Sequence, residues 1–196
     1  INGGSYASDD YYGLYVSNDE GTAEVTVTGG TFDGKEYSAF IGSDGSNSVD
    51  SKLIIKGGTF NKPIHAQENT TQGAIQVSGG TFSEAVPNDY CAEFFKPVQN
   101  ADGKYTVEKV KTNNVEISFG GTGGRQITVG VDGGISIINN HTQEFATGEL
   151  VSLTATAKDN AKFLFWLDSN RRIVSTNATY QFYVDSDISV TAQFYT

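Results

Sequence analysis

Two short clusters in this 196-residue sequence carry side chains with chemistry to offer: Asp10-Tyr11-Tyr12 and Glu36-Tyr37. Tyrosine faces pack on the C–H groups of sugar rings, and carboxylates accept hydrogen bonds from sugar hydroxyls. Counting five residues on from Tyr6 reaches Tyr11, and five on from Phe32 reaches Tyr37. Counting four reaches Asp10 and Glu36. The correspondence makes Tyr11, Tyr12, Tyr37, Asp10 and Glu36 a candidate glycan-binding set. The competing reading is an apolar lid, in which these tyrosines fold back over their own loops. Other reactive side chains are scattered. His65 and His141 lack metal-ligand spacing and read as surface or loop histidines. Cys91 is the single cysteine, so no internal disulfide forms, and it reads as a buried cap residue rather than a nucleophile. Asp9-Asp10 and Asp19-Glu20 sit in turn contexts that favour Asp for backbone reasons, with calcium ligation as the alternative. No catalytic residue, metal site or cofactor is assigned.

The elements that position the clusters are set by a recurring tetrad. Gly29-Gly30-Thr31-Phe32, Gly57-Gly58-Thr59-Phe60 and Gly79-Gly80-Thr81-Phe82 are full copies, and Gly3-Gly4-Ser5-Tyr6 is a fainter one. From Ser5 to Thr31, Thr59 and Thr81 the steps are 26, 28 and 22 residues. Each full copy follows an alternating run such as Val25-Thr26-Val27-Thr28, the pattern of a half-buried strand. Further apolar residues stand upstream: Leu14/Val16, Ile41 and Ile64/Ala66. Leu14 to Val25 is 11 residues, Ile41 to Leu53 is 12, and Ile64 to Ile75 is 11. Three short strands and three corners per repeat predict a right-handed parallel β-helix with three-sided coils, rising about 4.8 Å per coil. Phe32, Phe60 and Phe82, with Tyr6, then form an internal aromatic ladder. The gaps from ladder residue to the next inward residue are unequal: Tyr6 to Leu14 is 8, Phe32 to Ile41 is 9 and Phe60 to Ile64 is 4. Length variation is therefore expected at that one corner. A propeller, with blades of about forty residues, is too long for a step of 22.

Composition narrows the function. The net charge is −10. Residues 1–110 hold 15 acids against 7 lysines, and residues 111–196 hold 8 acids against 6 bases. That sign disfavours nucleic acid and anionic membrane. No apolar run is long enough for a membrane span, and no signal peptide is visible. The chain opens inside a repeat, which suggests a piece of a longer protein whose targeting signals lie elsewhere. Residues 1–110 contain no arginine, which removes an arginine base of the kind β-helix lyases use. Three or four coils also make a short groove for a glycosidase carboxylate pair. The expectation is a non-enzyme. The sequons at Asn69, Asn140 and Asn177 would matter only in a eukaryotic secretory pathway.

After Phe82 the pattern breaks at Pro87-Asn88-Asp89-Tyr90-Cys91-Ala92-Glu93-Phe94-Phe95. Asn88 or Asp89 is expected to cap a short helical turn, with Phe94 and Phe95 covering the end of the coils. Lys96-Pro97-Val98 and Lys104-Tyr105-Thr106-Val107 flank Asn100-Ala101-Asp102-Gly103, a hairpin signal. Repeats ending in Val-Pro-x-x-Tyr-Cys-Ala-x-x-Phe, then Asp-Gly-Lys-Tyr-Thr-Val, resemble the repeat tracts of large surface proteins from gut bacteria over about residues 1–109.

Residues 111–196 read as a second all-β domain, with strand-like runs punctuated by Gly120-Gly121, Gly123-Gly124 and Gly133-Gly134. Over about residues 113–195 this part resembles the divergent internalin-type B-repeat domain. The resemblance rests on Gly148-Glu149-Leu150-Val151-Ser152-Leu153-Thr154-Ala155-Thr156-Ala157, Phe163, Trp166, Val174-Ser175-Thr176, Tyr180, Phe182, Val184, Asp187, Ala192 and Phe194. Phe165 replaces the usual Gly, and Asp168-Ser169-Asn170 the usual Asp-Gly turn. The resemblance implies a β-grasp-like stalk or spacer module of adhesins, without catalytic residues, in which Trp166 is a core position. Together these readings predict a monomeric, extracellular part of a bacterial cell-surface protein with an adhesive or spacer role. Its partner would be a host or cell-wall glycan or protein. The alternative is a carbohydrate-binding or carbohydrate-cleaving β-helix.

Overall fold

The computed structural model describes residues 1–17, 22–43, 50–68, 70–130 and 134–196. Asp19-Glu20, the sequon residue Asn69 and Gly133 lie outside the described residues. Among the described residues the chain is all-β apart from one 3-10 turn, and it divides into two compact units, Ile1–Val110 and Lys111–Thr196.

In the first unit, each repeat supplies three short strands. The first gives β1 (Asn2–Ala7), β2 (Tyr12–Ser17) and β3 (Glu24–Val27). The second gives β4 (Gly29–Asp33), β5 (Tyr37–Gly42) and β6 (Lys52–Ile55). The third gives β7 (Thr59–Phe60), β8 (Ile64–Ala66) and β9 (Ile75–Val77), and β10 (Thr81–Phe82) begins a fourth. Equivalent strands pair in parallel, forming three sheets: β1-β4-β7-β10, β2-β5-β8 and β3-β6-β9. Inward residues of all three meet in a single apolar cluster, including Val16, Val27, Phe32, Ile41, Leu53, Phe60, Ile64 and Val77. Tyr6, Phe32, Phe60 and Phe82 stack with centroids 5.0, 5.0 and 4.9 Å apart and planes within about 10°. The three phenylalanines are buried, whereas Tyr6, at the end of the stack, is 38% exposed.

The expected concentration of length change at one corner is corrected. Leu14 pairs with Ala39, which pairs with Ile64, and Ile41 is the partner of Val16 and Ala66. The equivalent gaps to Val25, Leu53 and Ile75 are therefore 11, 14 and 11 residues, so a second corner varies too. Alanine carries too little apolar signal to compete with Ile41 for that alignment. Only the Gly-Gly corner is invariant: Val27 to Phe32, Ile55 to Phe60 and Val77 to Phe82 each span five residues.

Three devices close the last repeat. A 3-10 turn at Asn88–Tyr90 leads in, but Pro87 occupies the N-cap position and no side chain caps it, so neither Asn88 nor Asp89 does. The Tyr90 hydroxyl accepts a hydrogen bond from the Ala66 amide at 3.1 Å, and Cys91 bridges Val77 beside β9. The hairpin β11 (Phe95–Gln99) and β12 (Tyr105–Lys109) then lays β12 antiparallel on β10. Phe95 packs on the core, while Phe94 adopts φ 64° at the entry to the hairpin.

The second unit contains two sheets. Its strands are β13 (Thr112–Gly121), β14 (Gly124–Val129), β15 (Ile135–Ile137), β16 (His141–Ala146), β17 (Leu150–Lys158), β18 (Lys162–Asp168), β19 (Ile173–Ser175), β20 (Thr179–Tyr183) and β21 (Ile188–Tyr195). One sheet runs β16-β13-β21-β18-β19 and the other β15-β14-β17-β20. Their apolar faces enclose Trp166, Ile117, Ile127, Leu153, Val184 and Phe194. Trp166 is fully buried, and its indole N–H donates to the Asn177 and Ala178 carbonyls at 3.1 and 3.2 Å. Asp168 Oδ1 accepts from the Asn170 and Arg172 amides, so this carboxylate organises the turn that lacks glycine.

Phe60 sits between two rings in a closed core. Phe60→Ala is expected to cost about 3–5 kcal/mol in denaturant unfolding; a loss below about 1 kcal/mol would show that the stack carries no packing energy. Because the second unit has its own core, residues 111–196 expressed alone are expected to melt cooperatively by circular dichroism. Aggregation or a non-cooperative melt, under conditions that fold the whole chain, would contradict that independence.

Candidate functional site

The candidate tyrosines lie at the start of the β2-β5-β8 sheet, where strand alternation is interrupted. In β5, Ser38 and Ala39 are both buried. Two consecutive inward residues throw the flanking pair, Tyr37 and Phe40, onto the outer face together. Ser38 turns inward because it holds the corner: its hydroxyl donates to the Phe32 carbonyl at 2.7 Å and accepts from the Lys62 amide at 2.8 Å. In β2 the same offset leaves Tyr12 and Tyr15 outside, with Gly13 between Tyr12 and the inward Leu14. A Cβ on Gly13 would lie 2.8 Å from the Asp33 nitrogen and 2.9 Å from the Ser38 carbonyl oxygen, so no larger residue fits.

Strand register then gathers the rings. Tyr12 pairs with Tyr37, and Tyr15 with Phe40, which pairs with His65. Tyr12 stacks on Phe40 at 4.5 Å and 13°, and Tyr37 stacks on His65 at 4.9 Å and 16°. Tyr12 also lies 6.2 Å from Tyr37 and 5.4 Å from Tyr15. Tyr11 joins at 5.8 Å from Tyr12 and is the most exposed ring, at 58%; Tyr15 is 38% exposed. The outer face of this sheet is thus a continuous aromatic cluster of six side chains.

The structure brings Tyr11, Tyr12, Tyr37 and Glu36 together but shifts their alignment by one residue. Tyr11 stands opposite Glu36, whose amide donates to the Tyr11 carbonyl at 3.0 Å, and Tyr12, not Tyr11, is the partner of Tyr37. The loop after Tyr6 is one residue longer than counting from the ladder assumes. Asp10 sits apart in the preceding turn, where its amide donates to Ser8 Oγ at 3.3 Å. Partial burial raises the Tyr12 phenol above the usual tyrosine range, and the Glu36 carboxylate adds to this, followed by the neighbouring tyrosines. Tyr15, Phe40 and His65 were not in the candidate set. Their signal was present: each alternates with inward Leu14, Val16, Ala39, Ile41 or Ile64, which marks an aromatic residue on a solvent face.

Elsewhere the titratable groups are dispersed. Among the described residues, no group of three His, Cys, Asp or Glu side chains is placed to hold a metal ion. Burial, and then Asp89, pushes the Cys91 thiol upward, the opposite of what a thiolate nucleophile needs. Asp9 and Asp33 share a depression of about 420 Å³ with Lys35 and Lys62, where Asp33 accepts a hydrogen bond from Asn61 of the next repeat.

The sequence model of the family described as "Divergent InlB B-repeat domain" matches residues 126–196. The match starts within β14, later than the resemblance read from residue 113, although β13 is integral to the same unit through parallel pairing with β21. No curated protein and no solved structure matches the chain.

The Tyr12 shift yields a checkable titration. A phenol whose folded pKa is raised contributes stability that is fully present below the unfolded value of about 10 and is lost as pH rises through the folded one. Glu36→Gln removes the nearest negative charge and is expected to lower the highest tyrosinate transition in the ultraviolet absorbance titration, a transition that Tyr12→Phe should delete. An unchanged transition in Glu36→Gln would place that carboxylate away from the ring.

Proposed function

We propose that the chain is a non-catalytic part of a bacterial cell-surface protein that acts in adhesion or as a spacer outside the cell, as a monomer. The observation that carries this reading is the match of residues 126–196 to the B-repeat domain. In this reading the first unit is a short, capped, right-handed parallel β-helix. Three parallel sheets in matching register around one apolar cluster support it. Stacked repeats make a rod whose length follows repeat number, because each repeat contacts only its neighbours. That suits a spacer. The acid excess suits a solvated surface and opposes binding to nucleic acid or anionic lipid. No helix among the described residues is long and apolar enough to cross a membrane.

The test is surface exposure in cells that make the native protein. Antibody against residues 111–196 is expected to label intact, unpermeabilised cells, and brief external protease treatment should remove the label. Labelling that requires permeabilisation and survives external protease would overturn the assignment.

A further inference from the structure

We infer that the outer aromatic face of the β2-β5-β8 sheet, with Tyr12 at its centre, binds a short stretch of an uncharged glycan. The inference rests on the adhesion reading and supplies its partner class. Four observations carry it.

The rings are surplus to the core. Leu14, Val16, Ala39, Ile41 and Ile64 already fill the inner face, so nothing in the fold of the repeats requires aromatic residues opposite them. The solvent face of a sheet is otherwise polar.

Among the described residues, three of the phenols at the face carry no protein partner. No protein hydrogen bond engages the hydroxyls of Tyr11, Tyr12 or Tyr37 among the described residues, and Glu36 is near enough to act on Tyr12. Phenols and a carboxylate around apolar ring surface give a sugar its two requirements, C–H packing and acceptors for its hydroxyls.

Size separates a glycan from a protein. Tyr12 to Tyr15 spans about 10 Å along the strand, and β2 to β8 about 10 Å across it. A footprint on the order of 100 Å² fits about two linked sugar rings, far below the roughly 800 Å² per partner of a protein interface.

Charge separates an uncharged glycan from an anionic one. Residues 1–110 carry 15 acids against 7 lysines, a net −8, and Glu36 stands at the face itself. Sialylated, sulfated or uronic chains meet repulsion there.

The test uses the whole chain and a printed array of neutral oligosaccharides, with sialylated counterparts as a second arm. The parent is expected to bind neutral members and reject their sialylated forms. Tyr11→Ala combined with Tyr15→Ala should weaken that binding by about tenfold with an unchanged melting temperature. Should the double variant melt lower, Tyr12→Phe decides, because it keeps the ring and removes only the hydroxyl: weaker binding supports the site, and unchanged binding overturns it. No glycan binding by the parent, equal binding of sialylated forms, or full binding by a stable double variant each overturns the inference and leaves the rings as a lid over the corner. Array binding is measured on purified protein, so its failure is separate from a failure of surface labelling.

Discussion

Each Gly-Gly corner brings two backbones closer than a side chain allows. A Cβ on Gly29, Gly57 or Gly79 would lie 2.5 Å from the carbonyl oxygen of Asn2, Thr28 or Lys56 in the preceding repeat. The next glycine, at 30, 58 or 80, takes φ of +107°, +106° or +108°, a conformation that L side chains rarely adopt. Both glycines are therefore required, for different reasons, and together they hold successive repeats at one separation and one register. The benzyl rings two residues on inherit that spacing, which is why they stack at 4.9–5.0 Å with nearly parallel planes. The aromatic ladder is the consequence and the glycine corner is the cause.

Holding register at one corner frees the others. Length changes at the two remaining corners leave the ladder undisturbed, because every repeat returns to the same five-residue spacing before its ladder phenylalanine. The exterior rings depend on the same device. Tyr12 meets Phe40 and Tyr37 meets His65 only because β2, β5 and β8 are aligned residue for residue. The buried Ser38 hydroxyl couples the two levels directly, tying the Phe32 carbonyl of the ladder strand to the Lys62 amide of the following corner. The surface cluster is thus positioned by the backbone of the core.

What was legible in the sequence was whatever repeats with strong side-chain signal. Phe32, Phe60 and Phe82 announce themselves by glycine, period and aromaticity, and the buried Trp166 by its apolar run. The hairpin around Asn100–Gly103 was legible too, since Gly103 takes the positive φ that its turn demands. What was lost was register within weak signal. Ala39 is the true partner of Leu14, yet Ile41 is the more apolar residue two positions on. The paired inward residues Ser38 and Ala39 break the period-two rule, so simple alternation misplaces Tyr37 relative to Phe40. Counting from the ladder missed the extra residue in the first loop and set Tyr11, rather than Tyr12, against Tyr37. Four of the five candidate residues were nonetheless drawn together, because a one-residue slip within a cluster of adjacent tyrosines still lands on a tyrosine.

The end of the repeats shows how differently the three sheets must be treated. A stack of parallel strands exposes unpaired backbone at its last member, and an open edge invites pairing with another chain. The β10 edge receives a full antiparallel strand, β12, whose Val107 also joins the core. The β9 edge receives one bridge through Cys91, reinforced by the Ala92 amide donating to the Val77 carbonyl at 2.8 Å. Among the described residues the β8 edge receives a phenol, where the Tyr90 hydroxyl takes the Ala66 amide. The coverage grows in the order in which the chain leaves the sheets, from β8 to β9 to β10, so among the described residues the β8 edge is the least covered. That edge belongs to the sheet whose outer face carries the rings. His65, the last member of the outer ring series, lies on β8 and is paired by β5 on one side, whereas Phe82, the last of the ladder, has β7 on one side and β12 on the other.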